Sequence, residues 1–268
     1  MPHRPRKRFS QNFLVDEGAI ASIIDAVSPR ARDAMVEIGP GLGALTRPLA
    51  RVVQPLHVVE IDRDIVTRLK NEFAPTRLIV HEGDALEFDF AALGPRLRVV
   101  GNLPYHISTP LLFHLAECAS ALFDIHAMLQ LEVVDRIVAA PGASDYGRLS
   151  VMLQYGFEME KVLDVPAEAF APQPKVESAV IRMTPRAAPR ARDANVFART
   201  VALAFSQRRK TLRNTLGSVL TADDFAALEI DPQLRAQTLS VEDFIKIADY
   251  RIKGDGGGAT AREPKEEK

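Results

Sequence analysis

The feature that most constrains the fold is a regular alternation of short apolar runs with amphipathic segments of helical periodicity. The apolar runs that predict strands lie at residues 34–38, 56–61, 78–80, 97–101 and 125–131. Helices are predicted between them, from about Asp16, Ala44, residue 62, Thr109 and residue 132. Strands that alternate with helices are typical of a mostly parallel sheet covered on both faces. We therefore predict an α/β fold for residues 16–184.

The pattern changes in the last third of the chain. Strand-like runs at 149–157, 162–165 and 179–183 complete the predicted sheet, and a proline-containing linker follows at 184–190. Helices are then predicted at 196–205, 208–220 and 241–247, the last with Ser240 as N-cap. The predicted divisions are a basic arm at 1–15, an α/β domain at 16–184, a small all-helical domain at 185–253 and a disordered tail at 254–268.

Composition narrows the class of protein. The chain has 268 residues, of which 47% are hydrophobic, enough for a large core and a smaller second domain. No apolar run of about 18 residues and no apolar signal core are present, so we expect a cytoplasmic protein with no membrane partner. The single cysteine, Cys118, allows no disulfide within the chain, and the histidines lack metal-ligand spacing, so no metal is expected. We expect a monomer.

The tetrapeptide Asn102-Leu103-Pro104-Tyr105 follows the predicted strand at 97–101. Ligands of open α/β sheets bind beyond the carboxyl ends of strands, so this stretch predicts a site. The Asn102 side-chain oxygen and the Pro104 carbonyl can accept the two hydrogens of an exocyclic amine, while Tyr105 stacks on the base. Adenine and cytosine both fit this arrangement. An ordinary strand-to-helix turn with a packed tyrosine also fits the tetrapeptide.

Glycines at 39, 41 and 43 separate a predicted strand from a predicted helix, which allows a ligand to approach the main chain. Glu60 ends the next strand, where a carboxylate can hold ribose hydroxyls, and Asp84 follows the third strand, where it suits an adenine amine. The same residues fit the looser dinucleotide fingerprint, so a nicotinamide enzyme is an alternative. Another alternative is that the glycines serve only the turn between the strand and the helix.

Several motifs occur in a fixed order. They are Ser10-Gln11-Asn12-Phe13-Leu14, Glu37-Ile38-Gly39-Pro40-Gly41-Leu42-Gly43, Glu60-Ile61-Asp62, Gly83-Asp84-Ala85, Asn102-Leu103-Pro104-Tyr105 and Phe170-Ala171-Pro172-Gln173-Pro174. In this order they resemble the S-adenosylmethionine-dependent N6-adenine methyltransferases. Over residues 5–250 the chain is similar to the family of small-subunit ribosomal RNA adenine dimethyltransferases, which modify two adjacent adenosines near the 3′ end of that RNA.

The resemblance implies a Rossmann-like methyltransferase domain with S-adenosylmethionine as cofactor. It implies that the methyl-donor site is lined by Asn12, Leu14, Gly39, Glu60, Asp84 and Asn102. Glu60 would take the ribose, Asp84 the adenine amine of the donor, and Leu14 would close a lid formed with the basic arm. The implied partner is a precursor of the small ribosomal subunit with its RNA. The tail after Gly254 matches nothing in the family.

Catalysis requires little acid–base chemistry under this interpretation. Asn102 and Pro104 would orient the adenine amine, and Tyr105 and Phe170 would sandwich the base, each stack contributing about 1–3 kcal/mol. A core position is the alternative for Phe170. His106 is not expected to act as a base; we expect it to cap the following helix or to face solvent.

Net charge is only −1, but basic residues cluster. Arg208, Arg209, Lys210 and Arg213 are predicted to lie on one helix and to contact RNA phosphates together with the arm at Arg4, Arg6, Lys7 and Arg8. A solvated charged face is the alternative for such a cluster. Two other functions stay open at this point: a large-subunit ribosomal RNA adenine methyltransferase of the same fold, and a ribosome-assembly checkpoint in which catalysis is dispensable.

Overall fold

The computed structural model describes residues 12–187 and 190–255. The chain divides into two compact units, which do not follow a single cut in the sequence. The first contains the residues up to Val138 together with Gly156–Arg186, and the second contains Ala139–Tyr155 together with the residues from Ala187 onward.

Strands of the first unit form two sheets. In chain order, the strands of its described residues are β1 (Phe13–Leu14), β2 (Met35–Ile38), β3 (Leu56–Glu60), β4 (Leu78–Glu82), β5 (Leu97–Asn102), β6 (Leu122–Gln130), β7 (Phe157–Val165), β8 (Phe170–Ala171) and β9 (Ser178–Pro185). The large sheet has the order β4-β3-β2-β5-β6-β9-β7, in which only the pairs that involve β9 are antiparallel. The small sheet is the antiparallel pair β1-β8.

The helices of the first unit connect these strands. They are α1 (Glu17–Val27), α2 (Thr46–Val52), α3 (Arg63–Glu72), α4 (Ser108–Glu117) and α5 (Leu131–Val138). The predicted N-cap Asp16 is confirmed, because its carboxylate accepts from the Ala19 N–H at 2.6 Å. Asp62 caps α3 in a similar way, accepting from the Asp64 N–H. These caps fix the points at which the chain leaves one strand and enters the next helix.

The strand order creates one crevice suited to a ligand. From β2 the chain proceeds to β3 and β4 on one side, and then returns to β5 on the other side of β2. At such a switch point the two connections diverge and leave an opening beyond the carboxyl ends of the central strands. Here β2 ends at Ile38, just before the glycine loop, and β5 ends at Asn102.

The opposite end of the central strands is fixed by a buried ion-pair network. The Arg98 side chain is 9% exposed and donates to both carboxylate oxygens of Asp124, at 2.9 and 2.8 Å. It also donates to Asp33 at 2.7 Å and to the carbonyls of Val27 and Ser28. One guanidinium therefore joins β5, β6 and the end of α1, away from the crevice.

The second unit is helical in its described residues. Its helices are α6 (Arg148–Gly156, whose last residue joins the first unit), α7 (Ala194–Ala204), α8 (Leu212–Leu216), α9 (Ala222–Leu228) and α10 (Val241–Asp255). They enclose a separate core that includes Phe197, Leu212, Leu216 and Phe244, each fully buried. The predicted N-cap Ser240 is confirmed by reciprocal hydrogen bonds with Asp243. The predicted fold class, a mostly parallel α/β domain with a helical C-terminal part, is confirmed.

Three segment predictions were wrong in detail. Of residues 149–157, predicted as a strand, 149–156 belong to α6 and Phe157 begins β7, because Gly147 and Ser150 start a helix and the nearly continuous apolar run fits both periods. The predicted helix at 208–220 is reduced to α8, preceded by an exposed turn. Helix α10 extends to Asp255, two residues into the predicted tail, and residues 256–268 lie outside the described residues.

Within residues 12–187 and 190–255, no helix combines the length and the apolar character that crossing a bilayer requires.

Candidate active site

A cavity of about 270 Å³ lies at the carboxyl ends of the central strands. It is lined by the glycine loop, by the ends of β2, β3 and β5, and by the lid segment that precedes α1. Six of the predicted site residues lie around it as cofactor candidates: Asn12, Leu14, Gly39, Glu60, Asp84 and Asn102. Pro104 and Tyr105 also line it. The structure therefore brings together residues that are distant in sequence.

The glycine loop is held close to the sheet and to the lid. The Gly39 N–H donates to the Val59 carbonyl at 3.0 Å, which ties the loop to β3. Gly41 has φ of +54°, and a Cβ atom there would lie 3.1 Å from the Phe13 ring. A side chain at this position would be strained and would push the lid away.

Two carboxylates face the cavity from neighbouring strand ends. Glu60, 7% exposed, accepts from the Asp62 N–H at 2.8 Å. Burial raises the pKa of Glu60, and backbone N–H groups, among them those of Asp62 and Gly41, oppose that shift. Asp84 accepts from the Leu86 N–H at 2.9 Å, which fixes one of its oxygens. Exposed Ile61 lies beside Glu60 on the same wall.

Glu37 is a third carboxyl group of the cavity, to which the sequence analysis assigned no role. It lies near the end of β2 and is 2% exposed. Its Oε2 is buried and has no hydrogen-bond partner among the described residues. Burial raises the pKa of Glu37 to about 8, the Thr46 hydroxyl opposing that shift. A buried polar atom without a partner at the wall of a cavity indicates a place for a polar ligand group or a water molecule.

Asn102 connects the acceptor tetrapeptide to the lid. Its side-chain Nδ2 donates to the backbone carbonyl of Asn12 at 3.1 Å. Because the donor end of the amide is engaged in this way, the oxygen end is left to accept from a ligand. The Pro104 carbonyl already accepts from the Ile107 N–H at 3.1 Å, and its second lone pair stays available.

Tyr105 is half-buried at the edge of the cavity. Its hydroxyl lies 2.8 Å from the Ser178 Oγ, and burial raises the pKa of its phenol. His106 is exposed, and helix α4 begins after it with no side-chain cap, so of the two expected roles the structure shows the solvent-facing one.

Phe170 is not in the cavity wall. It is 3% exposed, pairs with Leu14 across the β1-β8 sheet and belongs to the hydrophobic core that includes Phe13 and Val180. In this conformation the Phe170 ring lies in the core, which was the alternative interpretation, and it does not form a sandwich with Tyr105. The physical reason is that pairing of β8 with β1 turns the Phe170 side chain inward. The prolines that follow Phe170 in the sequence do not indicate which way its side chain points.

A further residue that sequence reasoning missed is Gly101. A Cβ atom there would lie 2.5 Å from the Ile38 carbonyl, so only glycine allows β2 and β5 to approach at the switch point. The available indication was a glycine inside an otherwise apolar strand, which often marks a close backbone approach.

The four basic residues of the second unit are all exposed, but they do not share a helix. Arg208, Arg209 and Lys210 lie in the turn after α7, and only Arg213 lies in α8. Helix α8 starts at Leu212 because the N–H groups of Leu212 and Arg213 donate to the carbonyls of Leu234 and Pro232. Arg208 donates to the Ser144 carbonyl. The arm at Arg4, Arg6, Lys7 and Arg8 lies outside the described residues.

Within the part of the chain that the structure describes, no three side chains among His, Cys, Asp and Glu converge on a common point. The residues that line the cavity supply carboxylates, amide and carbonyl acceptors and an aromatic ring.

Comparison with curated proteins gives relatives that span nearly the whole chain. A protein of Nitrosospira multiformis named "Ribosomal RNA small subunit methyltransferase A" is 60% identical over 252 residues, covering 93% of this chain and 97% of its own length. A protein of the same name from Laribacter hongkongensis is 61% identical over 251 residues, covering 92% and 95%.

Solved structures agree with this relationship. A dimethyladenosine transferase from Plasmodium falciparum matches with a TM-score of 0.78 at 25% identity, over 90% of this chain and 98% of its own. The 23S rRNA methyltransferase ErmE matches with a TM-score of 0.71 at 26% identity, over 90% and 100%. The family model described as "Ribosomal RNA adenine dimethylase" matches residues 2–253. The chain belongs to the ribosomal RNA adenine dimethylase family.

Proposed function

We propose that this enzyme transfers methyl groups from S-adenosylmethionine to N6 of two adjacent adenosines near the 3′ end of small-subunit ribosomal RNA. The product would be N6,N6-dimethyladenosine, formed on a precursor of the small subunit. The observation that carries the proposal is the convergence of a donor-binding wall and an amine-accepting loop on one cavity. Such a substrate favours the cytoplasm as the place of action, and we expect the enzyme to act as a monomer.

The residues around the cavity fit S-adenosylmethionine. Glu60 and Asp84 supply carboxylates for ribose hydroxyls and an adenine amine, and Gly39 allows the main chain to approach the ligand. The unpartnered Oε2 of Glu37 is available to a polar group of the donor or to a bridging water. When bound there, S-adenosylmethionine supplies the sulfonium methyl group. Lid residues Asn12 and Leu14 would cover the site.

The acceptor loop orients the adenine amine. The Asn102 oxygen and the Pro104 carbonyl would each accept one hydrogen of N6, which favours the pyramidal amine whose lone pair is free to form the new N–C bond. Because the Asn102 amide is held by Asn12, its oxygen is preorganised for this contact. As N6 gains the methyl group it becomes positively charged, and it then loses a proton to solvent. No strong general base is needed.

Tyr105 would stack on the target base, which offsets the few kcal/mol needed to unstack an adenosine. A second stack from Phe170 would require the ring to leave its buried position against Leu14. We therefore assign the principal stacking role to Tyr105, and propose Phe170 as a partner only in a rearranged, RNA-bound form.

The second unit would hold RNA phosphates. The side chains of Arg209, Lys210 and Arg213 are exposed, and the fold does not depend on contacts of these side chains. Phosphate contacts of this kind supply affinity without sequence information and weaken as salt rises.

Three alternative functions can be distinguished from this one. A large-subunit RNA target is disfavoured because the named small-subunit relatives are about 60% identical, against 26% for the 23S rRNA methyltransferase. A nicotinamide enzyme is excluded by family membership. A checkpoint role in ribosome assembly can coexist with catalysis.

The deciding experiment incubates purified protein with labelled S-adenosylmethionine and, separately, unmodified small subunits, large subunits and naked RNA. Nucleoside mass spectrometry then identifies the product. Dimethyladenosine on small subunits alone would support the proposal. Label on large-subunit RNA would favour the other methyltransferase, and tight binding to particles without label would favour the checkpoint.

A further inference from the structure

Tyr105 is held by hydrogen bonds at two points, its side-chain hydroxyl to β9 and its backbone carbonyl to the first residue of α4. Its hydroxyl lies 2.8 Å from the Ser178 Oγ, and its backbone carbonyl accepts from the Ser108 hydroxyl at 3.0 Å. Both serines are buried, with 0% and 2% of their surface exposed. Tyr105 lines the cavity and is therefore held in place by two buried serine hydroxyls.

Ser178 is among the most firmly placed residues of the first unit. It begins β9 and pairs with Gln130 of β6 on one side and with Val165 of β7 on the other. The carbonyl of the preceding residue, Glu177, accepts from the Leu131 N–H at 2.9 Å. The anchor of the phenol is thus a residue whose own backbone is fixed by both neighbours.

We infer that Ser178 is a positioning residue for RNA methylation, which, through the hydroxyl-to-hydroxyl hydrogen bond, holds the Tyr105 ring at the position where it stacks on the target base. The inference rests on the proposed function. Rotation about χ1 would carry the hydroxyl away from Ser178, whereas rotation about χ2 leaves the oxygen on its axis, so the bond fixes where the ring lies. A ring held in advance loses less conformational entropy when a base stacks on it.

The same contact assigns the phenol a role that is separate from proton transfer. The hydroxyl is engaged with Ser178, and burial raises the pKa of Tyr105, so the phenol stays neutral. It is then a fixed ring and not the base that removes the N6 proton. The competing explanation is that the bond only satisfies a half-buried hydroxyl, which predicts an effect on stability but none on turnover.

A double-mutant cycle separates the two explanations. Tyr105→Phe removes the hydroxyl and keeps the ring, Ser178→Ala removes its partner, and the double variant removes both. We expect each single variant to lower kcat/KM for small subunits about 5- to 20-fold, a loss similar to that of one hydrogen bond. We expect the double variant to be no worse than either single variant, and S-adenosylmethionine affinity to change less than twofold.

The matched control is Ser150→Ala. Ser150 is also fully buried and also loses a hydrogen bond, to the Gly147 N–H, but it lies in the second unit. It should lower stability without lowering kcat/KM at a temperature where all variants are folded. If Ser178→Ala does not fold, Tyr105→Phe still breaks the bond without touching β9 and decides the matter alone.

Unchanged kcat/KM in Tyr105→Phe, or additive losses in the double variant, would overturn the inference. Wild-type protein is assayed in parallel on the same subunits. If the wild type forms no dimethyladenosine, the proposed function fails; if it is active and the variants are equally active, only the role of Ser178 fails.

Discussion

The side-chain amide of Asn102 donates to the backbone carbonyl of Asn12 at 3.1 Å, so the residue proposed to orient the target amine also holds the lid of the donor site. One amide thereby connects the proposed lid over the methyl donor with the proposed site of the target base. Its nitrogen is committed to the protein, and its oxygen is the atom proposed to accept from the target amine.

Replacing Asn102 with Ala should lower turnover about 10²- to 10³-fold, the range typical of losing one preorganised polar contact to a transition state. Affinity for S-adenosylmethionine should fall less than 10-fold, because only the lid contact is lost. Single-turnover kinetics and calorimetric titration measure the two effects. Asn195→Ala, at an exposed asparagine of α7, is the control. Equal losses in turnover and affinity would contradict the assigned role.

Replacing Glu60 with Ala should weaken S-adenosylmethionine binding about 10- to 100-fold, since charged hydrogen bonds contribute about 1.5–3 kcal/mol. The control is Glu82→Ala at the end of the neighbouring strand β4, an exposed carboxylate paired with Arg63. Equilibrium binding of the cofactor measures both. Equal affinities of the two variants would show that Glu60 does not hold the donor.

Stability without cofactor should depend on pH through Glu37. Burial raises the pKa of Glu37 from 4.5 to about 8, so between these values the folded state keeps a proton that the unfolded state releases. The free energy of unfolding should therefore fall as pH rises through this window. Glu37→Gln mimics the protonated group and should flatten this dependence.

Urea unfolding of the wild type and Glu37→Gln at several pH values between about 5 and 8 measures the difference. Glu158→Gln, at an exposed position of β7, should behave as the wild type does. A wild type and a Glu37→Gln variant with parallel pH profiles would mean that Glu37 is already ionised in the folded protein.

Replacing Arg98 with Ala should lower the free energy of unfolding by about 3–5 kcal/mol, because Asp124, 1% exposed, is left as an uncompensated buried charge. Arg63→Ala breaks an exposed pair with Glu82 and should change stability little. If the double variant Arg98→Met and Asp124→Leu recovers part of the loss, the cost lies in the unpaired charge.

Charge reversal at Arg209 and Arg213 should abolish tight binding to small subunits while leaving S-adenosylmethionine affinity and thermal unfolding unchanged. The slope of log K against log salt should also become shallower, because fewer counterions are released. Arg199→Glu, at an exposed position of α7, is the control. If binding to the particles is unaltered, Arg209 and Arg213 do not belong to the protein surface that contacts RNA.

Local patterns predicted correctly which residues line the cavity, because most of them lie at or just after a strand end, and their roles in binding the donor stay predictions. The glycine loop and Asp84 follow β2 and β4, Glu60 and Asn102 are the last residues of β3 and β5, and all of them line the crevice that these positions imply. Phe170 and Ser178 were harder to predict, since their orientations depend on pairing of β8 with β1 and of β9 with β6, contacts between segments that are far apart in the chain.

In the second unit, too, some features depend on contacts between segments that are distant in the chain. The apolar run at 149–157 matches both a strand and a helix, and the hydrogen bond from the Gly147 N–H to Ser150, together with inclusion in the helical core, decides between them. The length of α8 depends on carbonyls of Pro232 and Leu234, which no local pattern around Arg213 indicates.

The pairing of β1 with β8 has a consequence for the order of events during protein synthesis. Residues Phe13–Leu14 leave the ribosome early, but their partners Phe170–Ala171 are made only after most of the first unit. A nascent chain that already contains the glycine loop, Glu60, Asp84 and Asn102 therefore still lacks the strand against which its lid is fixed. Tight retention of the methyl donor should appear only once the chain has been extended past β8.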